Sequence, residues 1–190
     1  HAAAITEARG VELVAGVDVN PDRLTNFGQR WGIKALYSDL REMVAREKPD
    51  IVCVTTKSTE RAEVVISLAE AGVKAIFATK PISISLDEAD QMIKACREKE
   101  TILSISAHLN WYAQYRMALD LISRGEIGPL RSMVCLSPFW LTNMHSHTLS
   151  LFRLFAGAPA KWVYGHMDSE EAATGDDDLG GSEEPGGQYL

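Results

Sequence analysis

Four short apolar runs, separated by stretches with helical periodicity, constrain the fold of this 190-residue chain more than any other feature. Such runs, rich in β-branched residues and apolar throughout, are typical of parallel strands buried on both faces. Strands that alternate with helices through short connections predict a parallel sheet with right-handed crossovers and helices on both faces. The predicted strands span residues 11–19, 50–56, 73–78 and 101–107.

Capping signals mark the predicted helices between these strands. Asn20 is suited to the N-cap, Pro21 to the first helical position, and Gly32 to the end of that helix. Ser85 and Glu88 have the spacing of a capping box. Further helices are predicted from Ser38 and over residues 61–71. The apolar residues predicted to face the core are Leu24, Phe27, Trp31, Leu40, Met43, Val44, Val64, Val65, Leu68, Ala69, Ala89, Met92, Ile93 and Cys96.

The pattern changes after residue 107. Helices are predicted over 112–124 and 147–156, and strands over 130–136 and 161–167, which indicates the start of an α+β domain. Residues 1–10 resemble the end of a helix whose preceding strand is missing. We therefore expect an α/β fold, a doubly wound, Rossmann-like parallel sheet without its first strand, over residues 1–108. The beginning of a second domain is expected over residues 109–190.

Composition excludes several classes of protein. The chain is 46% hydrophobic and 24% charged, which is ordinary for a soluble globular protein. It has no apolar stretch of about 20 residues and no signal sequence, so a cytoplasmic location is expected. Eight acidic and no basic residues lie in 168–190, and we expect a solvated loop over residues 168–187. The remainder is near neutral without a basic stripe, which argues against nucleic acid or a membrane as partner.

The cysteine and histidine spacing does not favour a metal site. Cys53, Cys96 and Cys135 are far apart and have apolar neighbours, so buried thiols are expected rather than disulfides. His145 and His147 have no cysteine or carboxylate near them in sequence to complete a zinc set. No bound metal is therefore expected.

Ligands bind at the carboxyl ends of the strands in an open parallel sheet. Asp18 closes the first predicted strand, where an acidic residue accepts hydrogen bonds from the adenosine ribose and favours NAD over NADP. A capping or solvated aspartate is an equally good interpretation. Thr55 and Thr56 follow the next strand and could offer N–H and hydroxyl groups to a cofactor, although an ordinary turn would look the same.

Two further residues suit proton and hydride chemistry. Lys80, between Thr79 and Pro81 at a strand end, could orient a substrate hydroxyl and stabilise an alkoxide, although a solvent-facing lysine is the simpler interpretation. His147 could accept a proton from an alcohol. Ser150 lies one turn further along the same predicted helix, where its hydroxyl could contact the imidazole.

Five segments in register resemble the glucose-fructose oxidoreductase, inositol dehydrogenase and MocA family (Gfo/Idh/MocA). The resemblance implies an N-terminal Rossmann domain and a C-terminal α/β domain whose open sheet often forms homo-oligomers. It also implies hydride transfer between NAD(P) and a sugar, cyclitol or related polyol. The segments are residues 12–21, 50–56, 71–81, 125–130 and 147–157.

The resemblance assigns individual residues. Lys80 matches the lysine of a Glu-Lys-Pro motif that contacts substrate and nicotinamide, and His147 matches the histidine of a His-x-x-Asp helix that transfers the proton. Asp18 matches the ribose-binding acid, with Asn20 beside it. Asn110 stands where many members have an arginine, so it is expected with Ser150 in the substrate site. Cofactor contacts are also expected from Thr55, Thr56 and Thr79.

The departures from the family pattern leave a second function open. Thr79 replaces the motif glutamate, Lys57 a proline and Arg61 a frequent histidine. Ser150 replaces the carboxylate beside His147, and serine cannot stabilise an imidazolium by charge. A non-catalytic protein that binds a dinucleotide or sugar phosphate is therefore the alternative. The glycine-rich phosphate loop is expected upstream of residue 1, so these 190 residues should bind NADH at roughly millimolar affinity or not at all.

Overall fold

The computed structural model describes residues 1–136 and 145–166 of the chain. The chain separates into two compact units, with Ser106 as the last residue of the first unit and Ala107 as the first residue of the second. The division falls two residues before the domain boundary expected from the sequence. The acidic segment 168–187 lies outside the described residues.

The first unit contains five parallel strands, four of which the sequence predicts. They are β1 (Gly16–Val17), β2 (Leu36–Tyr37), β3 (Ile51–Val54), β4 (Ala75–Ala78) and β5 (Ile102–Ile105). Strand β1 pairs with β2, and β3, β4 and β5 pair in that order, every pair being parallel. The strands are shorter than predicted, β1 most of all, and β2 was missed because two residues carry too little pattern to recognise.

Five helices alternate with these strands and confirm the α/β, Rossmann-like class. They are α1 (Ala2–Glu7), α2 (Pro21–Trp31), α3 (Leu40–Glu47), α4 (Ser58–Glu70) and α5 (Leu86–Glu98). Asn20 caps α2, since its side-chain oxygen accepts from the N–H groups of Asp22 and Arg23 at 2.9 and 3.1 Å. Gly32 ends the helix with φ +69°, a conformation that glycine adopts without strain.

The capping box of α5 forms with one difference. The Ser85 hydroxyl accepts from the Glu88 N–H at 3.2 Å, as predicted. The Glu88 carboxylate accepts from the N–H of Ile84 at 3.4 Å, one residue before the cap. Asp39, rather than Ser38, caps α3 by accepting from the Glu42 N–H at 2.7 Å.

The core of the first unit joins strand β4 to helices α4 and α5. Val65, Leu68, Ile76 and Met92 are its largest fully buried side chains, and they hold these elements in fixed relation. Cys96 is buried within this core and Cys53 is half-buried. Cys135, in the second unit, is exposed, so the expectation that all three thiols are buried is wrong.

The described part of the second unit is helical. A 3-10 helix (His108–Trp111) precedes α6 (Ala113–Ser123), and α7 spans His145–Ala156. The strands predicted over 130–136 and 161–167 are wrong within the described residues, because 130–136 and 161–166 form no strand. A strand requires a neighbouring strand for its hydrogen bonds, which an apolar pattern cannot supply. No helix in the described ranges is long and apolar enough to cross a membrane.

Candidate active site

The carboxyl ends of β3 and β4 bring four predicted site residues to one edge of the sheet. Val54 and Ala78 are register partners at the ends of these parallel strands. Thr55 and Thr56 follow the first strand, and Thr79 and Lys80 follow the second. The Thr79 N–H donates to the Val54 carbonyl at 3.1 Å, which extends the pairing to the edge itself.

Thr56 holds a polar atom that lacks a partner in the described structure. Its Oγ1 is buried and makes no hydrogen bond there. A buried hydroxyl without a partner costs free energy, so such an atom indicates a ligand or water that completes it. A hydroxyl at this edge of a parallel sheet fits the polar groups of a dinucleotide.

Lys80 is half-buried at this edge, and the peptide bond that joins it to Pro81 is cis. Partial burial disfavours the charged ammonium and lowers the pKa of Lys80 from its ordinary value. A lysine in such surroundings is better able to exchange a proton near neutral pH than an exposed one.

Arg61 is the residue at this edge that the sequence analysis did not identify as functional. Its guanidinium donates to the Thr56 and Pro81 carbonyls and, at 2.9 Å, to the Thr79 hydroxyl. Only 3% of the residue is exposed. Its place near the start of α4 carries no sign of these bonds, since they depend on how three separate segments meet.

Asp18 follows β1 and is half-buried. Its Oδ1 accepts from the N–H of Asn20 at 2.8 Å, which fixes the carboxylate in the turn into α2. The Asn20 side chain is itself engaged in capping α2. Of these two predicted cofactor ligands, Asp18 therefore has the freer polar group.

The second unit places His147 and His108 in contact. His147, on α7, is only 4% exposed, and its ring meets that of His108 edge to face, with centroids 4.5 Å apart. His108 lies in the 3-10 helix. The periodicity of the sequence carries no signal for this contact, because the two residues are 39 positions apart.

Asn110 and Ser150 are joined directly. The Asn110 side-chain amide donates to the Ser150 hydroxyl at 2.8 Å, so the hydrogen bond that the structure describes for Ser150 is with Asn110. Asn110 Oδ1 is buried and has no partner among the described residues. This second unpartnered acceptor suits a hydroxyl donor such as a polyol.

No group of three metal-ligating side chains comes together within residues 1–136 and 145–166. Each cluster is held in its own unit, one at the ends of β3 and β4 and one between the 3-10 helix and α7. Parallel strands with an acid after β1 and polar groups after β3 and β4 define a dinucleotide-binding protein of the Rossmann class.

Residues 1–107 match the oxidoreductase family with an NAD-binding Rossmann fold, Gfo/Idh/MocA, and the chain belongs to this family. D-apiose dehydrogenase of Paraburkholderia graminis is 30% identical over 159 residues, which cover 84% of this chain and 39% of that protein. Myo-inositol 2-dehydrogenase of Thermotoga maritima is 28% identical over 116 residues, covering 61% and 34% respectively. The chain therefore spans less than half the length of these relatives.

The fold resembles that of solved dehydrogenases. The structure of scyllo-inositol dehydrogenase from Lactobacillus casei with bound NAD(H) and scyllo-inositol matches with a TM-score of 0.72 at 21% identity. The match covers 82% of this chain and 52% of that one. At this level of identity the likeness concerns the fold alone.

Proposed function

We propose that the gene product containing this chain is an NAD-dependent oxidoreductase that transfers hydride between the nicotinamide and a sugar, cyclitol or related polyol. This proposal is supported by membership of the family and by relatives that are dehydrogenases of a sugar and of a cyclitol. The observation that carries the proposal is the arrangement at the carboxyl ends of β3 and β4. There a partly desolvated lysine and an unpartnered buried hydroxyl follow adjacent parallel strands.

The predicted site residues have separate roles in binding the cofactor, binding the substrate and transferring the proton. Asp18 accepts hydrogen bonds from the ribose hydroxyls, and its charge disfavours a 2′-phosphate. Thr55, Thr56 and Thr79 offer polar groups to the cofactor. Lys80 orients the substrate hydroxyl, and His147 accepts its proton, with Asn110 and Ser150 binding other hydroxyls. NAD, when bound, supplies the hydride acceptor. Assembly as a homo-oligomer belongs to the same proposal and rests on the resemblance, whereas a cytoplasmic location rests on the composition of the chain.

A non-catalytic binding protein is the second candidate, and one observation favours it. Ser150 stands where the resemblance implies a carboxylate, and its hydroxyl is engaged with Asn110. A serine hydroxyl cannot supply the negative charge with which a carboxylate at this position would stabilise a protonated His147. Binding of NADH without turnover of any polyol would support this alternative.

The test is turnover of a polyol panel with NAD by the gene product and by Lys80→Ala and His147→Ala. We expect each substitution to lower kcat by about 100-fold or more, the usual size of a positioned acid or base. The exposed Lys94→Ala serves as the matched control, with activity equal to the parent protein. Turnover unaffected by both substitutions would remove these residues from the mechanism.

A further inference from the structure

Arg61 is a buried cation beside the site rather than on the surface. It is the fourth residue of α4 and only 3% of it is exposed. None of the carboxylates in residues 1–136 and 145–166 lies within ion-pair distance of it. Burial lowers the pKa of the guanidinium, but arginine keeps its charge in proteins. A buried charge without a counter-ion is unfavourable unless its hydrogen bonds hold it.

The bonds of Arg61 converge on the two residues that flank Lys80. One terminal nitrogen donates to the carbonyl of Pro81, immediately after Lys80. The other donates to the Thr79 hydroxyl, immediately before Lys80, and to the Thr56 carbonyl at the end of β3. Arg61 therefore connects both neighbours of Lys80 to the adjacent strand end.

The planar fork of arginine suits these three acceptors. Two terminal nitrogens of fixed separation reach oxygens on different segments, which a single ammonium group cannot do. Arg61 also holds the turn after β3, because it donates to the carbonyl of Thr56. Thr56 is the residue whose hydroxyl is buried without a partner in the described structure. Fixing both segments in advance lowers the cost of arranging them around a ligand.

We propose that Arg61 is a positioning residue that holds the residues on both sides of Lys80 and so sets the direction and solvation of the Lys80 side chain. The inference rests on the proposed function, in which Lys80 contacts the substrate. Arg61 itself touches neither substrate nor cofactor in this account. Its effect on the reaction passes through Lys80.

The experiment measures the titration of Lys80 in the gene product by NMR after reductive ¹³C-methylation. The Lys80 resonance is identified by its loss in Lys80→Arg. In Arg61→Gln the three acceptors lose the charged fork, the turn admits more water, and Lys80 should titrate at higher pH than in the parent protein. We also expect kcat to fall about 10- to 100-fold, as a misplaced catalytic group does.

Two variants separate positioning from general stability. Arg46→Gln removes an exposed arginine of the same unit and should leave both the Lys80 titration and kcat unchanged. Thr79→Val removes only the hydroxyl acceptor and should shift the Lys80 titration in the same direction by a smaller amount. If Arg61→Gln does not fold, the Lys80 titration in Thr79→Val tests whether Arg61 positions Lys80.

An unchanged Lys80 titration in folded Arg61→Gln, or in Thr79→Val when Arg61→Gln is unfolded, overturns the inference. Arg61→Lys should lie between the parent protein and Arg61→Gln, because a point charge satisfies fewer of the acceptors. A gene product that turns over no polyol would contradict the proposed function. The Lys80 titration would still decide the part that Arg61 plays.

Discussion

The imidazole rings of His108 and His147 meet edge to face, with centroids 4.5 Å apart and planes inclined at 70°. His147 is buried and His108 is exposed, so the outer ring covers part of the inner one. An edge-to-face pair stabilises a fold beyond the area it buries. The 3-10 helix therefore contributes directly to the surroundings of the candidate proton acceptor.

Replacing His108 tests this contact. His108→Ala removes the covering ring and should lower the free energy of unfolding by about 1 kcal/mol. It should also lower kcat, because His147 loses its fixed surroundings. His108→Phe keeps an aromatic ring in place and should retain most of the free energy of unfolding and most of kcat. Denaturant unfolding and turnover measure the two effects, and equal behaviour of Ala and Phe variants would contradict the account.

Ser150→Asp should raise kcat. Asn110 donates to the Ser150 hydroxyl at 2.8 Å, so it can hold a carboxylate at the same position. That charge lies one helical turn from His147 and favours its protonated form as the alcohol gives up its proton. We expect an increase of about tenfold, which corresponds to about 1.4 kcal/mol.

Ser150→Asn is the matched control for that substitution. It has the shape of aspartate without the charge and should give no increase. If Ser150→Asp and Ser150→Asn have the same kcat, charge at this position does not limit the reaction. Binding of NADH by both variants confirms that the cofactor site is intact.

Leu68 tests the core that supports the edge of the sheet. It is fully buried on α4, in the core that includes Ile76 of β4. Leu68→Ala should destabilise the protein by about 2–5 kcal/mol through lost burial and the cavity left behind. Leu86, at the start of α5, is 85% exposed, and Leu86→Ala should change stability by under about 0.5 kcal/mol. Equal losses in denaturant unfolding would contradict this placement of the core.

The sequence predicted the elements whose signals are local. Asn20 and Gly32 bound α2, and Ser85 caps α5, because a cap needs only a side chain and the next few N–H groups. The four predicted strands are present, though shortened, because β-branched apolar runs favour extended pairing. Their burial on both faces is not confirmed, since Ile51 of β3 and Ile102 of β5 are exposed.

The remainder depends on contacts between distant segments. The predicted strands over 130–136 and 161–166 are absent, since strand formation requires a partner that the pattern does not specify. Arg61 was noted only as a departure from the family pattern, and its hydrogen bonds join the turn after β3 to the turn after β4, which the sequence pattern does not bring together. The contact of His108 with His147 likewise exists only once the 3-10 helix and α7 pack together.

A single dinucleotide crevice onto which both Asp18 and Lys80 open is the basis of the proposed function. It predicts that NADH protects the Lys80 amine of the gene product from reductive methylation. It also predicts that Asp18→Asn raises the NADH concentration needed for half-protection. A hydrogen bond to a charged group contributes about 1.5–3 kcal/mol, so we expect a rise of roughly 10- to 100-fold.

The decisive measurement is this protection titration on the parent protein and Asp18→Asn, with the methylation of Lys94 followed as the exposed control. We expect NADH to protect Lys80 in the parent protein, to protect it less well in Asp18→Asn, and to leave Lys94 unprotected in both. A Lys80 that saturating NADH leaves unprotected, or protection that Asp18→Asn does not alter, would contradict it.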